Sequence, residues 1–152
     1  MIIRDVGRGQ VLRVGDPGQG VYLLFSTPIR PYGDADSVLD ITVQAKGAWV
    51  DVSDLVRTLD GDGLAEFLSS LADESSSWSE APTWQSSEGQ LKISAQRSGG
   101  RIALTWGIWG KGAESQSAWY FETVTSHKGE HEMRGVSEAF HVLFSGKSER
   151  VA

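Results

Sequence analysis

The order in which the hydrophobic periodicity changes along the chain is the strongest constraint on its fold. Apolar and polar residues alternate in the first third, take a helical spacing near residues 64–71, alternate again between residues 91 and 125, and return to a helical spacing before residue 145. Alternation with a period of two indicates strands, and spacings of three and four residues indicate amphipathic helices. Since single strands do not alternate with single helices, the order predicts an α+β fold and not a doubly wound sheet.

Turn residues between these segments predict one mainly antiparallel sheet of about six to eight strands with two packing helices, in the order strands, helix, strands, helix. A loop is expected over residues 27–36, which hold two prolines and a glycine. Residues 53–56 are predicted to form a short turn ahead of the first helix. The predicted strands are residues 10–14, 21–25, 38–45, 48–52, 83–86, 91–96, 102–108 and 118–125.

Two apolar stripes predict the helices. The first stripe, at i, i+3, i+4 and i+7, consists of Leu64, Phe67, Leu68 and Leu71. Asp60 or Asp62 is predicted to cap this helix, because aspartate accepts hydrogen bonds from the free amides of a first turn. The second helix is predicted over about residues 130–145. We expect Phe67 and Phe140 to be buried against the sheet.

Length and cysteine content limit the organisation and the setting of the chain. With 152 residues, we expect a single domain over residues 1–146 and a polar tail over residues 147–152. There is no cysteine, so disulfides, thiolate nucleophiles and cysteine-based zinc sites are excluded, and a cytoplasmic location is the simplest expectation. No apolar run approaches the ~20 residues of a membrane helix, and we expect no membrane association.

The negative charge is concentrated in the first half of the chain. The net charge is −6, and all ten aspartates lie before residue 77. An acidic chain is expected to repel nucleic acid, whose phosphates require a basic surface. It would instead attract basic proteins. Ordinary solubility is the alternative explanation of the acidic half.

A partner-facing surface is predicted from the acidic segment between residues 34 and 62. Strand alternation and the loop are expected to leave four of its aspartates outward: Asp34, Asp36, Asp40 and Asp51. Asp60 and Asp62 belong to the same candidate set, although helix capping would also explain them. The expected partner is a basic protein, such as a nuclease toxin with a phosphate-binding cleft.

Six tryptophans supply the alternative function, a module that binds a small ligand or a carbohydrate. Trp106 and Trp109 are three apart on a predicted strand, so we expect them to face opposite sides of the sheet. Trp109 and Trp78 are the candidates for stacking on a ligand. An enzyme with an unrecognised carboxylate site also stays open, although no catalytic residue is singled out.

Two short motifs invite a metal site, but neither is complete. The segment 60–63, Asp-Gly-Asp-Gly, is followed by Leu64 where a calcium loop needs its third ligand. His127 and His131 have a helical ligand spacing, but Gly135 replaces the second histidine of a zinc-protease motif. Surface histidines at the start of a helix are the preferred interpretation, and we expect neither a metal nor a cofactor.

A longer pattern resembles a known family. It is carried by residues 58–68, Leu71, Trp78, residues 83–84, residues 91–95 and residues 101–105. This pattern is similar to that of a bacterial family of small proteins of unknown function from high-GC Gram-positive genomes, and its layout is similar to that of WapI-type immunity proteins. The resemblance implies an α+β fold and no known catalysis, and it implies no particular functional residues. Together with the acidic first half and the lack of catalytic motifs, it favours a non-catalytic, immunity-like protein-binding role.

Overall fold

The computed structural model describes residues 2–5, 9–73, 78, 80–110 and 119–145, which form nine strands and two α-helices. The helices are α1 (Leu64–Asp73) and α2 (Gly129–Phe144). The strands are β1 (Ile2–Asp5), β2 (Gly9–Val14), β3 (Tyr22–Ile29), β4 (Val38–Lys46), β5 (Asp51–Leu59), β6 (Thr83–Gln85), β7 (Leu91–Ser98), β8 (Arg101–Gly110) and β9 (Trp119–Lys128).

The strands are divided between two antiparallel sheets. The N-terminal sheet has the order β1-β2-β3-β4-β5, and the C-terminal sheet has the order β6-β7-β8-β9. Each sheet is a meander of consecutive hairpins followed by one helix, so the two halves share one layout. The α+β class and the order strands, helix, strands, helix are confirmed, while the single sheet of the prediction is in fact two.

One core joins the inner faces of both sheets to both helices. It is centred on three fully buried aromatic residues, Phe25 of β3, Trp106 of β8 and Phe140 of α2. The ring centroid of Phe25 lies 5.5 Å from that of Trp106 and 4.9 Å from that of Phe140. The alternation of β4 and β8 directs their apolar residues into this core, as the sequence predicts.

The two helices pack against each other. Leu64, Leu68 and Leu71 of the first stripe are buried, whereas Phe67 is only partly buried against the core, so its predicted burial is incomplete. In α2 the hydroxyl of Ser137 donates a hydrogen bond of 2.7 Å to the carbonyl oxygen of Ala65 in α1. This bond satisfies a polar group that the helix contact would otherwise bury unpaired.

The segment 60–63 joins the two halves instead of capping α1. Each of its four residues has a positive φ, including Asp60 and Asp62, and aspartate tolerates this conformation better than most residues. The Asp62 carboxylate accepts hydrogen bonds from the Leu59 amide (3.1 Å) and from the Ser87 amide (2.7 Å). The Trp84 indole donates to the Asp62 carbonyl oxygen at 2.8 Å. The predicted cap is therefore a clamp between β5 and the β6–β7 turn.

Gln90 forms the second link between the sheets. Its amide oxygen accepts from the Arg57 backbone amide at 2.8 Å, and its amide nitrogen donates to the Leu55 carbonyl oxygen at 3.0 Å. These are the backbone groups that an additional strand would pair along the edge of β5. The Gln90 carbonyl oxygen in turn accepts from the Trp109 amide at 2.8 Å. The Gln90 side chain thus protects an edge of β5, while its backbone carbonyl fixes the start of β7.

Three predicted boundaries differ from the structure. Residues 53–56 belong to β5, because Ser53 and Asp54 interrupt the apolar alternation without breaking the strand. Residues 2–5 form β1, and β3 extends into the predicted loop as far as Ile29. The predicted tail lies outside the described residues. In the part of the chain that is described, neither helix is long and apolar enough to cross a membrane.

We predict that Phe140→Ala lowers the free energy of unfolding by about 3–5 kcal/mol, because it leaves a cavity between the two sheets. Phe67→Ala should cost less, since that ring is only partly buried against the core. Urea unfolding of both variants measures the difference. Equal losses would show that Phe67, and not Phe140 alone, anchors the helices to the core.

Candidate functional site

An ion pair between a buried carboxylate and a partly exposed guanidinium lies on the outer face of the N-terminal sheet. The Arg57 guanidinium donates from Nε and Nη2 to the two carboxylate oxygens of Asp40 at 3.0 and 3.1 Å. Asp40 is only 3% exposed, and the Arg57 guanidinium also lies 5.5 Å from the centre of the Tyr32 ring. The hydrogen bond to Asp40 raises the pKa of Arg57. The two-point contact fixes the orientation of the guanidinium plane.

This geometry corrects the prediction that Asp40 faces outward. Alternation does place Asp40 on the outer face, opposite the buried Ile41, but Arg57 on the neighbouring strand covers it. A carboxylate of this burial needs such a partner, because desolvation disfavours an isolated charge. Asp40 therefore does not offer its charge directly to a partner protein.

Arg30 contacts two of the remaining candidate aspartates, Asp36 and Asp60, and Asp34 lies in the same loop as Asp36. The Arg30 guanidinium forms an ion pair of 2.8 Å with Asp60 and donates to the Asp36 carbonyl oxygen at 2.8 Å. The Asp36 carboxylate accepts from the Val38 amide at 2.9 Å, which shapes the entry to β4. Asp34 is exposed in the same loop. The loop and the end of β5 thus place Asp34, Asp36 and Asp60 on one side of the molecule.

The structure separates the other two aspartates from this group. Asp51 begins β5 and accepts a hydrogen bond from the Gln44 side chain at 2.8 Å. Because a strand rises about 3.4 Å per residue, Asp51 lies roughly 27 Å from Leu59 at the far end of β5. Asp62 is used by the clamp with Ser87. The six predicted aspartates therefore do not form one continuous surface.

Exposed apolar side chains surround the ion pair. Ile29 pairs with Asp40 across β3 and β4, and Leu55 and Leu59 lie two residues before and after Arg57 on β5. Tyr32 is 64% exposed. We call these residues, together with the aspartates that border them, the acidic–apolar surface. Its members are Ile29, Tyr32, Leu55, Arg57 and Leu59 with Asp34, Asp36 and Asp60.

A groove of about 590 Å³ lies on the outer face of the C-terminal sheet. Gly107 of β8 is its floor, with Lys92 of β7 on one side and Glu122 of β9 on the other. A smaller cavity of about 440 Å³ adjoins it and shares Gln85 and Lys92. We call these two cavities together the C-terminal groove.

Tyr120 lies across the floor of the C-terminal groove. A Cβ atom on Gly107 would be only 2.5 Å from the Tyr120 hydroxyl, so glycine is required beneath this ring. The hydroxyl donates to Glu122 at 2.6 Å, and the ring centroid lies 4.5 Å from that of Trp109. The hydrogen bond to Glu122 raises the pKa of Tyr120 to about 12, so the phenol is neutral at physiological pH. The ring is 44% exposed despite these contacts.

The two tryptophans predicted to stack on a ligand are not in one place. Trp109 lines the C-terminal groove, on the face opposite the buried Trp106, as the spacing predicts. Trp78 is half-buried against the core, with the Arg97 guanidinium 4.9 Å from its ring centre. Tyr120 was missed from the sequence, although its pairing opposite Trp109 on the outer face follows from the register. Trp49 is the most exposed indole, at 76%.

The predicted histidine pair does not exist as a pair. His127 is buried on β9, so its assignment to the surface at a helix start is wrong, whereas His131 is exposed on α2. The Trp106 indole donates to the Thr125 hydroxyl at 2.8 Å, and this hydroxyl lies 2.7 Å from His127 Nε2. Burial lowers the pKa of His127 to about 4. No group of three or more potential metal ligands occurs among the residues that the structure describes.

Comparison with known proteins gives one family. Residues 14–147 match the Family of unknown function (DUF6228). No curated protein and no solved structure matches the chain. The match covers most of both sheets and both helices, and it attaches no activity to either outer face.

The buried His127 predicts a loss of stability on acidification. The unfolded chain binds a proton near pH 6.5 and the folded chain only near pH 4, so stability is complete above pH 6.5 and falls as the pH drops towards 4. Between pH 7 and pH 5 this difference amounts to about 2 kcal/mol. Denaturant unfolding at the two pH values should show this loss in the native chain, and His127→Gln should remove most of it. An unchanged pH dependence in the variant would contradict the assignment.

The ion pair on the N-terminal sheet predicts unequal roles for two aspartates. Asp40→Asn should lower the urea midpoint clearly, because it removes the charge that holds Arg57 and leaves a buried amide in its place. Asp51→Asn is the matched control, and it should leave the midpoint nearly unchanged because that carboxylate is exposed. Equal midpoints for the two variants would show that the Asp40 pair is not structural.

Proposed function

The chain belongs to the DUF6228 family of unknown function, and we propose that it is a non-catalytic, immunity-like protein that binds a basic protein partner through its acidic–apolar surface. A bacterial toxin is the partner class that this proposal favours, and the cytoplasm is the proposed location. The observation that carries the proposal is the exposed ring of apolar side chains around the fixed Arg57, bordered by Asp34, Asp36 and Asp60.

The composition of the surface suits a protein contact. Single exposed apolar residues are common, but Ile29, Tyr32, Leu55 and Leu59 lie on or beside one face. Tyrosine and arginine are the residue types that most often carry binding energy at interfaces, and Tyr32 and Arg57 touch each other at the centre. An apolar centre with a polar rim is the usual anatomy of an interface.

The central contact is ordered before any partner arrives. Asp40 holds the guanidinium of Arg57 through two hydrogen bonds, and Arg30 ties the loop at Asp36 to the end of β5 at Asp60. Side chains that are already fixed lose less conformational entropy on binding. The surface therefore resembles a preorganised site more than a flexible loop.

Charge determines the kind of partner. Four aspartates, at positions 34, 36, 40 and 60, stand against two arginines, at positions 30 and 57, so these six residues in and beside the acidic–apolar surface carry a net charge of −2. A negative field steers basic proteins towards the surface and accelerates their association at low salt. Asp51 and Asp62 take no part in this proposal, because one is remote and the other serves the clamp.

The proposal is tested by capture followed by kinetics. The immobilised protein is exposed at low salt to an extract of the organism that encodes it, and the retained proteins are identified by mass spectrometry. For a retained basic protein, Asp34→Lys should slow association about 10-fold at low salt and much less at high salt. Tyr32→Ala should instead accelerate dissociation, because it removes a central contact.

Glu130→Lys combined with Glu138→Lys is the control, since both carboxylates are exposed on α2 and the charge change is larger. This variant should bind with nearly native kinetics. Retention of acidic proteins alone, or an equal effect of the α2 variant, would overturn the proposal. Size-exclusion chromatography with light scattering distinguishes a second copy of the same chain as the occupant, an outcome that would also overturn it.

A further inference from the structure

We propose that the C-terminal groove binds a neutral saccharide, with the exposed face of Tyr120 as the platform on which the sugar ring stacks. This site lies on the outer face of the other sheet and is independent of the acidic–apolar surface. Either proposal can fail without affecting the other.

The platform is flat and rigid. One face of the Tyr120 ring covers Gly107, where no side chain intervenes, so the ring lies against the sheet. The Trp109 ring packs against it with the centroids 4.5 Å apart, and the hydrogen bond to Glu122 anchors its hydroxyl end. The Tyr120 ring lines the cavity of about 590 Å³ and stays 44% exposed. An aromatic face fixed in this way offers apolar contact without a large loss of side-chain entropy on binding.

The polar side chains around the platform suit a ligand that carries many hydroxyl groups. Across the sheet, Gln85, Lys92 and Glu122 share the row of Gly107, and Ser94 and Thr105 form the next row. Together they supply amide, ammonium, carboxylate and hydroxyl groups, which are donors, acceptors and groups of both kinds. A sugar ring presents C–H groups on its faces and hydroxyls around its rim, which fits an aromatic floor with a mixed polar border.

Charge argues against an ionic ligand. Lys92 and Glu122 stand on either side of Gly107, about 10 Å apart across two strand spacings, so the main cavity has no net charge. Part of the Lys92 charge is also directed at Trp109, whose ring centre is 5.8 Å from Nζ. A phosphate or sulfate would meet one partly engaged cation and a carboxylate. The carboxylate of Glu122 would repel such an anion, and a neutral ligand avoids this repulsion.

The dimensions allow more than one sugar unit. The main cavity has the volume of a typical small-molecule site, and the adjoining cavity of about 440 Å³ continues past Lys92 to Trp109. Gln85 lines both cavities and could bond to two successive units. A disaccharide is therefore the smallest ligand that would use the whole groove.

The test titrates the full-length protein with four neutral disaccharides: cellobiose, maltose, lactose and trehalose. All titrations use the Trp49→Phe background, which removes the exposed indole outside the groove. Saturable quenching of tryptophan fluorescence is expected for at least one sugar, with a dissociation constant of about 1 mM, and saturation-transfer NMR should show the sugar C–H protons in contact with the protein.

Variants of the platform decide where the sugar binds. Tyr120→Ala should weaken binding at least about 10-fold, whereas Tyr120→Phe, which keeps the ring, should stay within about 3-fold of native affinity. Val142→Ala, an exposed position on α2 that lines neither cavity, is the control and should not change the affinity. Circular dichroism confirms that each variant is folded. Absence of saturable binding for all four sugars, or equal affinities of Tyr120→Ala and Val142→Ala, would overturn the proposal.

Discussion

The contact among Phe25, Trp106 and Phe140 is the interaction on which the rest of the structure depends. Each ring is fully buried, and each comes from a different layer: the N-terminal sheet, the C-terminal sheet and α2. Because the inner faces of both sheets are committed to this core, the outer faces are left for binding. Both proposed sites lie there. The Trp106 indole also donates a hydrogen bond to Thr125, whose hydroxyl contacts His127. The packing of the core and the position of the buried histidine are therefore coupled at Trp106.

The relation between the two halves is maintained by two polar links at one place. Asp62, in the segment with positive φ, accepts hydrogen bonds from Ser87 and Trp84. The Gln90 side chain forms hydrogen bonds with the backbone at the edge of β5. These links explain why Asp62 is unavailable for capping or for a partner. They also place the start of β7 beside Arg57, so the acidic–apolar surface and the C-terminal groove are supported by one junction.

Local pattern was sufficient to predict the fold class and most elements, but it could not predict how charges would pair. The strict alternation of β4 and β8 and the stripes of α1 and α2 are properties of neighbouring residues, and they gave the right elements. Asp40 lies on the predicted face, yet Arg57, 17 residues away, covers it. His127 was predicted to lie at the start of a helix, yet β9 continues to Lys128 and α2 begins only at Gly129. The Tyr120 platform required the register that brings Gly107 beneath it. Such facts arise only when distant segments meet.

The central claim is that recognition takes place on an outer face while the core and helices serve as the scaffold. Amide hydrogen exchange with and without the captured basic protein tests it most directly. Our account predicts slower exchange in residues 30–37 and 55–60 on binding, with little change in α2. Protection confined to the exposed side of α2, with residues 30–37 unchanged, would contradict it.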